Sequence, residues 1–216
     1  MSSVVILCRH GNTFAKGEKV VMVGAKEDLP LTDEGLRQAA DVGEALRRVA
    51  SKINRIVSGP LQRTRVFADI VKQSSGASAP ISIDARLTEL DYGEWSGLSN
   101  EEIVALSGEE ELRQWQEQGV RPPHVRFEPS AESLAQELTS LLGELENQSG
   151  ISVVVSSNGR LRAFRRLIES GADATRGDGK VRTGGSCVLV LSDSGWKIVA
   201  WNCDPSSLEP VLLDVK

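Results

Sequence analysis

The sequence predicts an α/β fold, a three-layer αβα sandwich with a mostly parallel central sheet and a small helical lid insertion. Three observations lead there. Short apolar runs at Val4–Cys8, Arg55–Val57 and Ile151–Val155 have the pattern of strands buried on both faces. Each leads into a stretch of helical periodicity, and a repeated βα unit imposes a parallel sheet with helices on both sides. Polar clusters directly follow the three runs, at Arg9–Thr13, Ser58–Arg63 and Ser156–Arg162. The 216 residues suit one domain with a full hydrophobic core, and the expected domain is 1–216, with the lid around 98–130.

The elements follow in order. Val4–Cys8 is the first strand. Residues 14–31 form a long polar loop rich in Gly and Lys, interrupted by Val20-Val21-Met22-Val23. Thr32 reads as an N-cap, with Asp33 and Glu34 placed to meet the helix dipole. Leu36, Ala39, Ala40, Gly43 and Leu46 then recur at helical spacing. After the strand at 55–57, Pro60 suits the first turn of a helix running to about Gln73. Ile81–Ile83 is a third short strand. The acidic stretch from Leu98 to Gly119 carries Ile103, Leu106, Leu112 and Trp115 and is broken by Pro122-Pro123. Leu134, Leu138, Leu141, Leu142 and Leu145 mark another amphipathic helix, ended by the stretch 147–150. The strand at 151–155 runs into a helix over Gly159–Glu169. Cys187–Leu191 and Trp196–Trp201 form a hairpin through Ser192-Asp193-Ser194-Gly195. The sheet does not need residues 98–130, which is why they read as a lid.

Composition narrows the partners. The net charge is −5, with Lys and Arg scattered, so there is no basic stripe for nucleic acid. A few arginines in a pocket would still hold a small anion. Cys8, Cys187 and Cys203 lie far apart, without metal-ligand spacing or the count of a disulfide framework, which suggests a reducing compartment. The N-terminal apolar run is too short for a signal peptide or a membrane span. A cytoplasmic protein without metal, cofactor, membrane or nucleic-acid partner is expected.

In open α/β sheets ligands bind beyond the carboxyl ends of the strands. Arg9-His10-Gly11-Asn12-Thr13 sits at such an end, and His10 is one of only two histidines; the other, His124, has a loop context. A histidine after a strand is more often structural than functional, so its neighbours decide. Gly11 permits a sharp turn and close ligand approach. Arg9 offers a planar fork of donors suited to phosphate oxygens. Arg63, in the first turns of a helix after a strand, forms an anion site together with the helix N-terminus.

These motifs resemble the histidine phosphatase superfamily, also called phosphoglycerate-mutase-like. The resemblance also rests on Asp28-Leu29-Pro30-Leu31-Thr32 followed by Gly35 and Ala39, on Ser58–Arg63, and on Leu87–Gly97. Glu132-Ser133 and Trp201-Asn202 fit as well, so the matches span essentially the whole chain in the family's order. The resemblance implies that His10 attacks a phosphoryl group and becomes a phosphohistidine. Arg9 and Arg63 would hold the phosphate oxygens, Asn12 would contribute to the pocket, and Glu89 would protonate the leaving group. The expected activity is that of a phosphomonoester hydrolase acting on a small phosphorylated metabolite. Phosphoryl transfer is mostly positioning and charge stabilisation, which this set supplies. A histidine nucleophile must be neutral, so a backbone carbonyl should hold its other ring nitrogen. Glu89 must carry a proton at neutral pH to donate it.

One position departs from the family's pattern. Aligned on Arg162, Ser156-Ser157-Asn158-Gly159 places Ser157 where the resemblance implies a second histidine. A neutral donor then stands in for a charged one. Asn158 and the free N–H groups opening the following helix are the available compensation. One lost preorganised donor costs about 10²–10³ in rate, so reduced or specialised turnover is expected. The alternatives are a phosphoglycerate-mutase-type phosphotransferase and a catalytically weak phosphate-binding protein. Lys16, Lys19 and Lys26 in the loop 14–27 read more simply as solvated than as a further anion site.

Overall fold

The structure, a computed structural model, describes residues 3–147, 149–169 and 179–214. Its sheet has six strands in the order β3-β2-β4-β1-β5-β6. β1 (Ser3–Arg9), β2 (Ile53–Ser58), β3 (Ile81–Ile83) and β4 (Gly150–Ser156) run parallel. β5 (Ser186–Ser192) is antiparallel to both β1 and β6 (Gly195–Cys203). This is the predicted mostly parallel α/β sandwich, with the predicted hairpin at one edge.

Strand alternation divides the core. Val4, Ile6, Cys8, Ile56 and Val153 face α1 (Asp33–Leu46), α2 (Gln62–Ser75) and α7 (Pro205–Asp214). Val5, Leu7, Val57 and Val154 face α5 (Ala131–Glu146), α6 (Asn158–Ile168) and the residues around Trp95 and Trp115. α1 starts as predicted: Thr32 Oγ1 accepts from Gly35 N at 3.2 Å, a cap worth about 1 kcal/mol.

Three details differ from the sequence reading. α2 starts at Gln62 with Leu61 as its N-cap, so Pro60 lies before the helix rather than in its first turn. Between Leu98 and Gly119 there are two short helices, α3 (Asn100–Ser107) and α4 (Glu109–Arg113), running into a wider π turn over Gln114–Gln118. Gly108, at φ 92°, separates the two helices, because only glycine adopts that conformation without strain. α7 was not anticipated, since its two prolines hide the pattern. Pro205 stands at its first position, Asp204 Oδ1 accepts from Ser207 N at 2.8 Å, and buried Leu208 and Leu212 dock it on the sheet. In the predicted stretch 147–150, Gln148 lies outside the described residues.

Register brings the polar clusters together. Arg9 pairs with Ser156, and Ser58 pairs with Val155, so β1, β2 and β4 deliver their carboxyl ends to one edge.

Candidate active site

Three neighbouring segments hold the backbone after β1. His10 N donates to Ser156 O at 3.1 Å and Gly184 N donates to His10 O at 3.2 Å. Asn12 O accepts from Thr32 N at 2.9 Å, tying the motif to the start of α1. Gly11 has a different reason from the expected one. A Cβ there would meet Gly35 O at 2.4 Å, so two glycines let the motif and the helix start pass back to back.

His10 is buried, 7% exposed, with Nδ1 2.8 Å from Gly11 O. A carbonyl only accepts, so Nδ1 carries the proton and Nε2 keeps its lone pair. Burial, together with the charges of Arg9 and Arg63, holds the imidazole well below its usual pKa, and it is neutral at pH 7. The ring therefore has a fixed tautomer, with a lone pair on Nε2 that is chemically able to attack an electrophile.

The two arginines flank it. Arg9 Nη1 donates to Val181 O at 2.6 Å. Arg63 is 1% exposed and spends both Nη atoms on the loop below it, to Glu27 O at 2.6 Å and Gly24 O at 3.0 Å. Arg63 is thus a loop anchor as well as a cavity-lining cation. Arg9 Nε, Arg63 Nε and Ser157 Oγ are all buried without a hydrogen-bond partner among the described residues. Orphaned buried donors are costly, and all three belong to residues the sequence reading assigned to a phosphate.

Glu89 is 5% exposed and interacts electrostatically with both arginines. Its Oε1 accepts from Leu90 N at 2.8 Å, and its Oε2 accepts from Gly159 N at 3.2 Å, in the first turn of α6. The Tyr92 hydroxyl hydrogen-bonds the same carboxyl; burial and that carboxyl raise the phenol well above its ordinary pKa, so it stays a donor. Gly159 is required here, because a Cβ would meet Glu89 Oε1 at 2.4 Å.

Ser157 is the N-cap of α6, yet its side chain makes no capping bond. Asn158 Oδ1 accepts from Val181 N at 2.9 Å, and the Asn12 amide oxygen accepts from Thr183 Oγ1. A cavity of about 720 Å³ takes in Arg9, His10, Asn12, Arg63, Glu89 and Asn158. It therefore brings together every residue predicted for the site except Ser157, which lies buried at the strand end behind it. His124 is exposed and does not line the cavity.

The sequence reading missed several lining residues. Tyr92 lies three residues beyond Glu89 inside a motif already singled out, and Arg162 follows Asn158 by one helical turn, so both had a local signal. The Arg162 guanidinium lies over the Trp115 ring at 4.9 Å and donates to Gln116 O at 3.0 Å, coupling α6 to the π turn. Lys180 and Thr183 reach the cavity from the segment before β5, where no local pattern announces them.

Burial of a neutral histidine makes stability depend on pH. The folded pKa lies below the unfolded value of about 6.5, so below that pH the unfolded chain binds a proton the folded chain refuses. Stability is present above about pH 6.5 and falls as the pH drops. From pH 7.5 to 5.5 the wild type is expected to lose up to about 1.4 kcal/mol more than His10→Ala in urea unfolding. Parallel losses in the two proteins would show that His10 is not buried neutral.

The sequence profile of the histidine phosphatase superfamily (branch 1) matches residues 5–204. The chain is 40% identical over 135 residues to "Probable phosphoglycerate mutase GpmB" of Citrobacter koseri, covering 62% of this chain and 57% of that protein. It is 38% identical over 161 residues to the protein of the same name from Klebsiella pneumoniae, covering 72% of this chain and 69% of that one. The match thus spans little more than half the length of the first relative. Among solved structures, a mycobacterial glucosyl-3-phosphoglycerate phosphatase superposes with a TM-score of 0.75 at 22% identity, covering 94% of this chain and 99% of that chain. Bacillus stearothermophilus YhfR gives 0.73 at 21% identity, covering 92% and 96%. These two likenesses concern the fold.

Proposed function

The chain belongs to the histidine phosphatase superfamily, and we propose that it hydrolyses a small phosphomonoester through a phosphohistidine on His10. The observation that carries this reading is the fixed tautomer, with Nδ1 bound to Gly11 O and Nε2 free in a site shared with half-buried Arg9 and buried Arg63. Nε2 attacks phosphorus, and the ester P–O bond breaks as Glu89 gives its proton to the departing alcohol oxygen. Water then attacks phosphorus and Glu89 takes its proton. The P–N bond breaks, and phosphate leaves. Arg9 and Arg63 neutralise the oxygens throughout, the kind of preorganised stabilisation that usually dominates such catalysis.

In this reading the chain is a variant without the family's second histidine, its place taken by Ser157, and Asn158 offers its amide beside the N-terminus of α6. The protein works as one domain with 98–130 as a lid. Its three thiols, none in a disulfide, favour a reducing cytoplasmic setting. Mutase action is the second reading, favoured by the name its curated relatives carry. It requires a phosphohistidine shielded from water. Here the cavity runs from His10 out to solvent-exposed Lys19 and Val20, which supports hydrolysis.

The test is turnover of an aryl phosphate by wild type and by Ser157→His. Wild type is expected to turn over slowly. The variant is expected to gain toward the 10²–10³-fold that one preorganised donor is worth. A wild type that binds phosphate without turning over any ester, beside an active Ser157→His, would make the natural protein a phosphate binder.

A further inference from the structure

Beyond the inner phosphate site, the loop side of the cavity is mostly apolar, and Lys19, the charged residue there, is paired with Glu102. Its wall there is Phe14, Val20, Val21 and Val23, in the segment between β1 and α1. Val20 is 63% exposed, and Val21 and Val23 are half-buried. Met22 packs on the core, while Val20 leaves most of its apolar surface in water at the cavity mouth. The backbone fixes the segment in place: Met22 N donates to Leu98 O at 2.8 Å, Gly97 N to Met22 O at 2.8 Å, and Ala25 N to Leu90 O at 2.9 Å.

The cations that could greet a second anionic group are engaged elsewhere. Lys19 pairs with Glu102 at 2.7 Å and Lys26 with Asp91 at 2.6 Å. Arg162 is held by Gln116 O and the Trp115 face, and Lys180 also has a partner. Glu101, at the rim, repels anions.

Resting on the phosphomonoesterase reading, we propose that the substrate is the phosphate ester of an apolar alcohol, aryl or alkyl, whose tail lies along Val20, Val21 and Val23. A phosphorylated sugar acid, with a second negative charge and a hydrated tail, fits this wall poorly. The valines are specificity residues, since they touch the tail and not the reacting phosphoryl group. Burying an apolar tail on such a wall discriminates by at least about tenfold per well-placed contact.

Phosphonates test this without turnover, because their C–P bond resists hydrolysis and removes leaving-group differences. Calorimetric titration of the wild type should show n-pentylphosphonate binding at least about tenfold tighter than 3-phosphonopropanoate. Val21→Ser combined with Val23→Ser should erase that preference while leaving methylphosphonate affinity unchanged, which also reports that the double variant is folded. Equal or tighter binding of the carboxylated ligand, or a preference that survives the double substitution, would overturn the proposal. Failure of the wild type to bind methylphosphonate would instead strike the phosphate-site reading, and this proposal with it.

Discussion

His10→Ala is expected to abolish turnover of every phosphomonoester and to remove the acid-labile phosphoryl label from the protein. Loss of the nucleophile from a covalent catalytic unit costs about 10⁴–10⁶ in kcat, because the remaining donors have no intermediate to stabilise. The fold should survive, since the side chain makes one hydrogen bond, to the next carbonyl, while the backbone bonds at 10 and 11 persist. Phosphate binding through Arg9 and Arg63 should persist as well, and this separates lost chemistry from lost structure. The wild-type pH profile adds a signed check. Two arginines and burial hold the imidazole below its usual pKa, so the acid limb of kcat/KM lies below about pH 6.5. Arg63→Met removes one repelling cation and should move that limb upward. Turnover that survives His10→Ala would end the nucleophile assignment, and a limb that moves downward in Arg63→Met would end the electrostatic account of the nucleophile's protonation.

Much of this arrangement was readable in the chain, for local reasons. A strand buried on both faces must be a continuous apolar run, so β1 and β4 were visible as Val4–Cys8 and Ile151–Val155, each within one residue at either end. The carbonyl partner of His10 was foreseeable because a neutral imidazole needs one proton held; that the carbonyl is its own neighbour's, Gly11, was not. What stayed hidden depends on residues distant in sequence. Nothing near Gly11 or Gly35 says that their backbones touch. Arg63 looked like a fork for phosphate, whereas its fork holds Gly24 and Glu27 across 36 or more residues. Lys19, Lys26 and the valines looked alike as loop residues until their partners, Glu102 and Asp91 for the two lysines and the cavity for the valines, told them apart.

Glu89→Gln should divide substrates by the basicity of their leaving group. General acid catalysis is worth about 10²–10⁴, and most where the departing oxygen is a poor leaving group. For an alkyl phosphate, phosphorylation of His10 should fall by the larger figure. A nitrophenyl phosphate needs little protonation and should still phosphorylate the enzyme. It should release one burst of nitrophenol per site and then turn over slowly, because water attack has lost its base. Glutamine also pays a positional penalty: both carboxylate oxygens accept backbone N–H groups, from Leu90 and Gly159, and one becomes an NH₂ facing a donor. Tyr92→Phe separates the two effects. It removes a hydroxyl that hydrogen-bonds Glu89 without touching the proton the acid transfers, so it should cost less rate, by the same factor on alkyl and aryl esters, and produce no burst. Gly159→Ala should act through position alone, since its methyl must displace the carboxyl it would overlap. An equal loss on alkyl and aryl esters in Glu89→Gln, with no burst, would mean that the carboxyl braces the first turn of α6 and that the proton comes from elsewhere.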